Sequence, residues 1–313
     1  MLNNKEILIT GTGTLGKQLV YSILSKYKPK GIRLLSRSEE PQRKFENELK
    51  SKGLLSNISF LIGDVRDRYR LIMATYGVDI IFHGAAMKQI DRCVTNPREC
   101  VYTNVLGSQN IIDVAIQNKV EKAILISSDK STKPSTLYGA SKMVAEQLFI
   151  DGNIYSGGRS PFLSCVRYGN ILGSTGSVIP IFKEQYRKNK TITITDERMT
   201  RFWWTIEQAA NFVISCVEMM KGGEIFVPKL NSCSVLDLAK MIVPEAKVEF
   251  TGIRANEKID EELISIEESR NVEEFSDYLV IHPHSTGHKE FVYSSSNAIP
   301  LTQEKLIQML SNA

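Results

Sequence analysis

A tyrosine and a lysine four residues apart, Tyr138 and Lys142, are the pair whose types and spacing point most directly to chemistry. On a helix, residues at i and i+4 lie on one face. A nearby ammonium favours phenolate over phenol, so it lowers the pKa of the tyrosine towards the range of a general base. The run Ser-Ser-Asp-Lys upstream adds Ser128, Asp129 and Lys130. Together these side chains predict proton-transfer chemistry.

The elements that must position these side chains follow from short apolar runs that alternate with longer amphipathic stretches. Strands are predicted over residues 6–10, 32–36, 58–62, 80–83, 123–127 and 162–167, and helices over 15–27, 41–50, 100–118 and 138–150. The strands are continuous apolar runs, as in a parallel sheet that helices cover on both faces. This order predicts an α/β fold with a doubly wound, Rossmann-like parallel sheet whose fifth strand ends beside Ser128.

A glycine-rich loop follows the first predicted strand and opens the first predicted helix. Glycines let backbone amides approach a pyrophosphate, and the helix N-terminus favours its negative charge. The sequence therefore predicts a dinucleotide site, and its contacts are Gly11, Thr12, Gly13, Thr14, Leu15 and Gly16.

The end of the second predicted strand bears on which dinucleotide binds. Enzymes that use NAD typically carry an acidic residue there, which accepts hydrogen bonds from the ribose hydroxyls. Here the residues are Ser36, Arg37 and Ser38, and Arg37 can pair with a 2′-phosphate. The position favours NADP, with a solvated surface cation as the alternative. Asp64 and Val65, after the third strand, suit an adenine edge or a simple turn equally well.

The regular alternation of predicted strands and helices ends after residue 168. A loop containing Gly173, Ser174, Gly176 and Ser177 is followed by a helix to Arg187, a strand over 192–195 and a helix over 206–220. A linker rich in proline and serine does not separate the two halves. We therefore predict a dinucleotide-binding domain over residues 1–168 and a smaller α/β substrate-binding lobe, mainly residues 169–313, interleaved with it.

Composition narrows the class of protein. The net charge of +4, from 39 basic and 35 acidic residues, suits a diphosphate ligand and is too diffuse to predict a nucleic-acid or membrane partner. The longest apolar runs fall short of the ~20 residues that span a bilayer. The cysteines form no CxxC pair and are odd in number, which favours a reducing cytoplasm: Cys93, Cys100, Cys165, Cys216 and Cys233.

Several longer motifs carry a resemblance to a known family. Tyr138 and Lys142 with Ser128 resemble the extended short-chain dehydrogenase/reductase superfamily. Three further features narrow the choice of family within this superfamily. They are the Asp129-Lys130 pair, the run RYGNILGSTGSVIP over residues 167–180 and the run DERMTRFW over 196–203. Together they resemble the UDP-N-acetylglucosamine 4,6-dehydratases, in particular the soluble, C5-inverting branch that begins pseudaminic acid synthesis.

Other segments of the chain either match the family pattern or differ from it. Four runs match it: HGAAMK over 83–88, Thr103-Asn104, GIRANEK over 252–258 and FVYSS over 291–295. The glycine loop is one residue shorter than the usual TGGTGSFG, Gly84 replaces a usual alanine, and Thr175 stands where arginine is common. Tyr138 is retained where membrane-anchored relatives often carry methionine, which favours the soluble type.

The resemblance implies a role for each reactive residue. Tyr138, assisted by Lys142 and Ser128, takes the O4 proton while NADP accepts the C4 hydride. Lys130, as a partly deprotonated amine, then removes the C5 proton, and Asp129 protonates the departing C6 hydroxyl. The hydride returns to C6, and C5 is reprotonated on the opposite face.

The resemblance also implies binding residues and an assembly. It places Ala85, Ala86 and Asn104, along with Tyr138 and Lys142, against the cofactor. The substrate UDP-N-acetylglucosamine would contact Lys88 and Asn170, Arg254 and Arg201 would neutralise its diphosphate, and Met199 and Thr200 would line the sugar pocket. Relatives form homo-oligomers, so we expect a hexamer or dimer.

Other interpretations of the motifs remain open. A C5-retaining dehydratase is the nearest, and a UDP-sugar 4-epimerase would not need the Asp129-Lys130 pair for elimination. A regulator that binds NADP(H) without turnover is the most distant.

The histidines, the tryptophans and two of the cysteines are predicted to have structural roles. His282, His284 and His288 lack the carboxylate or thiolate spacing of a metal site, so we predict a solvated loop and no bound metal. We expect His83 to be packed near the cofactor. Trp203 and Trp204 are expected in the core or a subunit contact, and Cys93 and Cys100 as buried thiols.

Overall fold

The computed structural model describes residues 1–173, 177–284 and 290–311. Ser174, Thr175 and Gly176 of the predicted loop, and His288 of the histidine-rich run, lie outside the described residues. Across the described ranges, no helix combines the length and the apolarity needed to cross a membrane.

The predicted strands of the first half are confirmed, each with bounds within one residue of those observed. The strands are β1 (Glu6–Thr10), β2 (Gly31–Ser36), β3 (Ile58–Ile62), β4 (Ile80–His83), β5 (Lys122–Ile126), β6 (Phe162–Val166), β7 (Asn170–Ile171), β8 (Thr191–Ile194), β9 (Thr200–Trp204), β10 (Ile225–Pro228), β11 (Asn231–Ser234), β12 (Lys247–Phe250), β13 (Glu262–Ile264), β14 (Val272–Glu274), β15 (Tyr278–Ile281), β16 (Tyr293–Ser294) and β17 (Ile299–Pro300).

The predicted amphipathic stretches form helices, and four further helices, α3, α4, α10 and α11, were not predicted. The helices are α1 (Thr14–Lys26), α2 (Glu39–Ser51), α3 (Arg68–Thr75), α4 (Ile90–Thr95), α5 (Pro97–Val101), α6 (Gly107–Gln117), α7 (Leu137–Ser156), α8 (Val178–Asn189), α9 (Ile206–Met219), α10 (Val235–Ile242) and α11 (Gln303–Ser311).

The helix predicted over residues 100–118 is confirmed as one continuous helical stretch over residues 97–117. Within it, a π-helical turn over Tyr102–Leu106 separates α5 from α6, and this turn was not predicted. The wider turn carries Thr103 and Asn104, and both are buried. Amphipathic periodicity cannot reveal such a turn, because it inserts one residue without changing the apolar character of the stretch.

Within the described residues, nine strands form the main sheet in the order β14-β15-β10-β6-β5-β4-β1-β2-β3. The strands from β10 through β6 to β3 pair in parallel, and β14 and β15 add an antiparallel edge. Helix α1 packs against α9, whereas α6 packs between α3 and α7. The predicted doubly wound α/β fold is thus confirmed.

The second half of the chain contributes to both parts of the molecule. Strands β10, β14 and β15 extend the main sheet, while β7, β9, β11 and β17 form a smaller mixed sheet. Strand β8 pairs with β12 over a small core of Phe182, Ile192, Ile194, Ala239 and Val243. The chain therefore passes between the main sheet and the smaller lobe more than once.

A buried ion-pair network lies at the end of β6. The Arg167 guanidinium lies 2.7 Å from a Glu146 carboxylate oxygen of α7 and 2.8 Å from one of Glu268, which lies between β13 and β14. It also donates to the Leu263 carbonyl oxygen at 2.9 Å. Removing one partner of a buried pair typically costs about 3–5 kcal/mol, because it leaves a charge uncompensated. The network therefore fixes β13 and the turn that follows it against the end of β6.

Candidate active site

The glycine loop is shaped by two close backbone approaches. Gly11 has φ +90°, and a Cβ there would lie 3.0 Å from the Ala85 amide nitrogen. At Gly16 a Cβ would lie 2.0 Å from the Gly11 carbonyl oxygen. At Gly13 a Cβ would meet nothing within 4 Å, and this residue is the N-cap of α1 without a side-chain cap. The first-turn amides of α1 are thus left for an anion, which fits a dinucleotide pyrophosphate.

The end of β2 forms the adjoining wall. The Thr12 hydroxyl donates to the Ser36 hydroxyl at 2.9 Å, and the buried Gln42 amide donates to the same oxygen at 2.9 Å. Arg37 lines the cavity with an exposed side chain. These contacts hold the strand end in place, so that the Arg37 guanidinium is available to a 2′-phosphate.

Asp64 lines the same cavity but is already engaged by a neighbouring cation. The Arg66 guanidinium donates to its carboxylate at 2.6 Å and 2.9 Å. Burial raises the pKa of Asp64, but hydrogen bonds from Arg66 outweigh burial and lower it. The carboxylate is therefore ionised and can still accept a hydrogen bond from an amine of the ligand.

A cavity of about 1150 Å³ runs from the glycine loop to the ends of β4, β5 and β6. Its wall brings together most of the predicted cofactor and catalytic residues: Gly11, Thr12, Gly13, Thr14, Leu15, Gly16, Ser36, Arg37, Ser38, Asp64, Val65, Ala85, Ala86, Ser128, Lys130, Tyr138 and Lys142. A second chamber of about 230 Å³ adjoins it, and Ile90, Lys130, Asn170 and Glu257 line both. Lys130 therefore stands where the two spaces meet.

Tyr138 and Lys142 lie on α7, which begins where the Thr136 hydroxyl accepts from the Gly139 amide at 3.1 Å. The Lys142 ammonium donates to the Ile126 carbonyl oxygen at 2.7 Å, and burial lowers its pKa to about 8. The expected lowering of the Tyr138 pKa is wrong for this structure. Burial raises that pKa to about 12, and the cation that opposes the rise is Lys130.

Lys130 lies between two carboxylates. Its Nζ is 3.1 Å from Asp129 Oδ1 and 3.4 Å from Glu261 Oε1. Burial lowers the pKa of Lys130, but the two carboxylates outweigh burial and raise it. The expectation of a partly deprotonated amine is therefore wrong for this state, because Asp129 and Glu261, which is remote in the sequence, both stabilise the ammonium. Asp129 is 1% exposed, accepts from the Ser128 hydroxyl at 2.8 Å, and leaves Oδ2 without a hydrogen-bond partner among the described residues.

Asn104 lies behind the cavity wall. Its side-chain oxygen accepts from the Met87 amide at 2.7 Å, and its amide nitrogen donates to the Met87 carbonyl and the Ser141 hydroxyl. It thus fixes the loop that follows β4, and Lys88 of that loop lines the cavity with an exposed side chain.

Two residues expected in the sugar pocket lie behind the chamber instead. Met199 is 2% exposed, and the Thr200 hydroxyl contacts Asp260 Oδ1 at 2.6 Å and the Ser295 hydroxyl at 2.7 Å. Neither residue lines either space. The Thr200 bonds tie β9 to the segment before β13 and to the residue that follows β16, so both residues support the chamber from outside.

The two arginines expected at the diphosphate differ in position. Arg201 lines the second chamber, but its guanidinium donates to the backbone carbonyls of Thr200, Ile259 and Lys258. Arg254 is exposed on a turn just before the chamber residues, where its amide donates to the Glu257 carboxylate. Arg201 therefore shapes the chamber, and Arg254 lies near it.

Several histidines, tryptophans and cysteines without a predicted chemical role are buried or paired. His83 is buried between the Thr10 and Ser108 hydroxyls at 2.7 Å and 3.2 Å, and burial lowers its pKa to about 3. This confirms packing near the cavity. His282 pairs with Glu273 at 3.0 Å. Trp203, Trp204, Cys93 and Cys100 are buried, and Trp203 also lines the cavity.

Known proteins share this architecture. A family model described as polysaccharide biosynthesis protein matches residues 7–283. The chain belongs to this family. The UDP-N-acetylglucosamine 4,6-dehydratase (inverting) of Campylobacter jejuni serotype O:2 is 43% identical over 285 residues, which cover 90% of this chain and 84% of that protein. The X-ray structure of Pen from Bacillus thuringiensis is 37% identical with a TM-score of 0.92, and covers 100% of this chain and 98% of that one.

Two further relatives carry different names. An uncharacterized membrane protein of Methanocaldococcus jannaschii is 41% identical and covers 98% of this chain and 95% of its own length. The UDP-glucose 4-epimerase of Rickettsia bellii is 37% identical over 287 residues, covering 89% of this chain and 83% of that protein. The predicted resemblance to inverting UDP-N-acetylglucosamine 4,6-dehydratases, on an extended short-chain dehydrogenase fold, is confirmed.

Proposed function

We propose that the protein is an NADP-dependent UDP-N-acetylglucosamine 4,6-dehydratase that inverts C5. The observation that carries this proposal is the position of Lys130, which lines both spaces, with Asp129 within 3.1 Å and Tyr138 in the same cavity. An elimination needs a base and an acid beside one sugar, and Lys130 and Asp129 supply these two groups. The similarity to the Campylobacter dehydratases supports the same substrate.

The cofactor would lie along the glycine loop, with its 2′-phosphate at Arg37 and its adenine near Asp64 and Val65. When bound, NADP would accept a hydride from C4 of the sugar and return it to C6. Lys142 Nζ, held by the Ile126 carbonyl oxygen, lies on the same helix as Tyr138 and would position that end of the ligand.

Tyr138 would remove the O4 proton. Because burial holds its pKa at about 12, the phenol is protonated at neutral pH in this structure. Charge from Lys130 and a hydrogen bond with Ser128 favour the phenolate. Further positive charge brought by ligands would act in the same direction.

Lys130 and Asp129 would act together at C5 and C6. One proton transfer from Lys130 Nζ to Asp129 across their 3.1 Å contact gives a neutral amine and a carboxylic acid at once. The amine then removes the C5 proton, and the acid protonates the departing C6 hydroxyl. In a water-excluded site two neutral groups cost less than two poorly solvated ions, so substrate binding favours this transfer.

Substrate contacts and assembly complete the proposal. Lys88 and Asn170 would contact the sugar nucleotide, Arg254 its diphosphate, and Arg201, Met199 and Thr200 would support the chamber that receives it. The product, a UDP-2-acetamido-2,6-dideoxy-hexos-4-ulose, would serve nonulosonic acid or other surface glycan synthesis. We further propose a cytoplasmic homo-oligomer, a hexamer or dimer.

The test is incubation with UDP-N-acetylglucosamine in deuterated water, followed by NMR of the product. We expect a 4-keto-6-deoxy sugar with inverted C5 and solvent deuterium at C5. Lys130→Ala should abolish C5 exchange, since it removes the base, whereas Lys133→Ala should not, because Lys133 pairs with Glu262 at 3.2 Å outside the cavity. Exchange at the wild-type rate in Lys130→Ala would refute the assigned base, and unchanged sugar would refute the proposed function.

A UDP-sugar 4-epimerase is the second candidate, supported by the similarity to the Rickettsia enzymes. It would use Tyr138 and Lys142 but leave Asp129 and Lys130 without a role in elimination. Its product would keep the C6 hydroxyl and change only C4. A C5-retaining dehydratase would differ in the configuration at C5, so one NMR experiment separates all three.

A further inference from the structure

Glu261 is a buried carboxylate that the smaller lobe presents to the reactive lysine. It lies just before β13 and is 4% exposed. Ser295 fixes its backbone on both sides, because the Glu261 amide donates to the Ser295 hydroxyl at 2.9 Å and the Ser295 amide donates to the Glu261 carbonyl at 2.8 Å. The backbone that carries this side chain is therefore fixed by contacts that do not involve Lys130.

The charges that face Glu261 come from several elements. Lys130 Nζ lies 3.4 Å from Oε1, Arg201 Nε lies 3.9 Å from Oε1, and Lys258 Nζ lies 3.9 Å from Oε2. Two of these cations are held elsewhere, since the Arg201 guanidinium donates to three carbonyls and Lys258 donates to the Thr132 carbonyl at 2.8 Å. Lys130 is thus the nearest cation to this carboxylate.

One oxygen of the Glu261 carboxylate can still accept a hydrogen bond. Its Oε2 is buried without a hydrogen-bond partner among the described residues. A buried carboxylate costs free energy unless nearby charges compensate it. The three cations provide that compensation here, and any change at Lys130 alters the balance.

We propose that Glu261, a residue of the smaller lobe, is a positioning residue. It holds the Lys130 ammonium where the cavity and the second chamber meet. It works together with Asp129, so the nitrogen lies within 3.4 Å of two carboxylates that come from different elements of the fold. This inference rests on the proposed function only in assigning Lys130 as the base. It adds a residue 131 positions further along the chain to that site.

The consequence for protonation follows from the charges around Lys130. Asp129 and Glu261 stabilise its charged form, whereas Arg201 opposes it, and Tyr138 is neutral at its raised pKa of about 12. Removing the Glu261 charge should lower the pKa of Lys130. Removing the Lys258 charge should raise it, because Glu261 is then less compensated.

The test is competitive acetylation of lysines at pH 9, followed by mass spectrometry, on the whole protein without ligands. Lys240, an exposed lysine on α10, serves as the internal reference. An opposite charge within a few ångströms shifts a pKa by about 1 unit or more, so Glu261→Gln should raise Lys130 acetylation at least about threefold, after allowance for the weaker nucleophile. Lys258→Gln should lower it.

Matched variants separate positioning from general structural damage. Glu262→Gln removes the adjacent carboxylate, which pairs with Lys133, and should leave Lys130 acetylation unchanged. Glu261→Asp retains the charge and should restore most of the wild-type rate. Equal Lys130 acetylation in wild type and Glu261→Gln, or an equal rise in Glu262→Gln, would overturn the proposal. If Glu261→Gln fails to fold, a rise or no change in Lys258→Gln overturns it.

A second measurement links the residue to turnover. In the proposed dehydratase, the pH profile of C5 exchange should move to lower pH in Glu261→Gln, because less base is needed to free the Lys130 amine. An unmoved profile in an active variant would also count against the proposal. A wild-type protein that makes no 4-keto-6-deoxy sugar would refute the proposed function and leave the acetylation result standing.

Discussion

Replacing Arg37 by serine should change the preference between NADP and NAD while leaving the rest of the dinucleotide site intact. Arg37 follows β2 and lines the cavity, and its charge also helps to lower the pKa of Asp64, but it does not hold the strand end. Ser36 is held by Thr12 and Gln42 through hydrogen bonds of 2.9 Å each. The substitution should therefore remove a cation without disturbing the strand end.

The magnitude follows from the exposure of the Arg37 side chain. A hydrogen bond to a charged group contributes about 1.5–3 kcal/mol, and exposure to solvent and salt reduces this to about 1–2 kcal/mol. The Kd for NADP should then rise about 5- to 30-fold. The Kd for NAD should stay constant, because NAD has no 2′-phosphate.

The assay is calorimetric titration of the cofactor-free protein with NADP and with NAD at two salt concentrations. In wild type the NADP affinity should fall with salt more steeply than the NAD affinity, and Arg37→Ser should remove that difference. Arg43→Ser is the matched control, since Arg43 is an exposed arginine of α2 outside the cavity. An unchanged ratio of the two affinities in Arg37→Ser would refute the assignment of Arg37 to the 2′-phosphate.

Two further predictions concern stability. Gly16→Ala should lower the free energy of unfolding in urea by about 1–3 kcal/mol, because its Cβ would lie 2.0 Å from the Gly11 carbonyl oxygen and backbone must move. His83 should make the folded state sensitive to acid: the unfolded state binds its proton near pH 6.5, the folded state only near about 3, so stability present above pH 6.5 is lost as pH falls towards 3. His83→Asn should abolish that loss of folding free energy, which amounts to about 1.4 kcal/mol per pH unit. Urea titrations of both proteins across this pH range measure the difference.

Each stability prediction has an outcome that contradicts it. Gly13→Ala is the control for the loop, because its Cβ meets nothing within 4 Å, and it should cost less than about 1 kcal/mol. Equal losses in the two alanine variants would show that the contact at Gly16 is not the cause. For His83, parallel pH dependences of wild type and His83→Asn would show that this imidazole is not the group that titrates.

Much of the fold could be predicted because its signals are local. The central parallel strands are buried on both faces, so β1, β4 and β5 appear as continuous apolar runs with sharp ends. The helix α7 was predicted to end near residue 150, yet it continues to Ser156. It stops where Gly157 adopts the left-handed conformation with φ +60°.

The site could be predicted only in part, for a related reason. Tyr138 and Lys142 share a helix face, and the glycine loop adjoins a strand, so their neighbours are close in sequence. The surroundings of Asn104, Met199 and Thr200 depend on loops far away along the chain. Their hydrogen bonds inside the protein could not be deduced from their motifs, and the structure places these residues behind the cavity wall.

The sequence by itself determined the doubly wound sheet, the dinucleotide loop and the reactive set Asp129, Lys130 and Tyr138, because each depends on residue type and short-range spacing. Only the tertiary structure decided the charge state of that set. Lys130 is held protonated because Asp129 lies 3.1 Å from its nitrogen and folding adds Glu261 at 3.4 Å, and Tyr138 is held neutral because folding buries it. Electrostatic free energies depend on distance and solvent exposure, which a linear pattern does not contain.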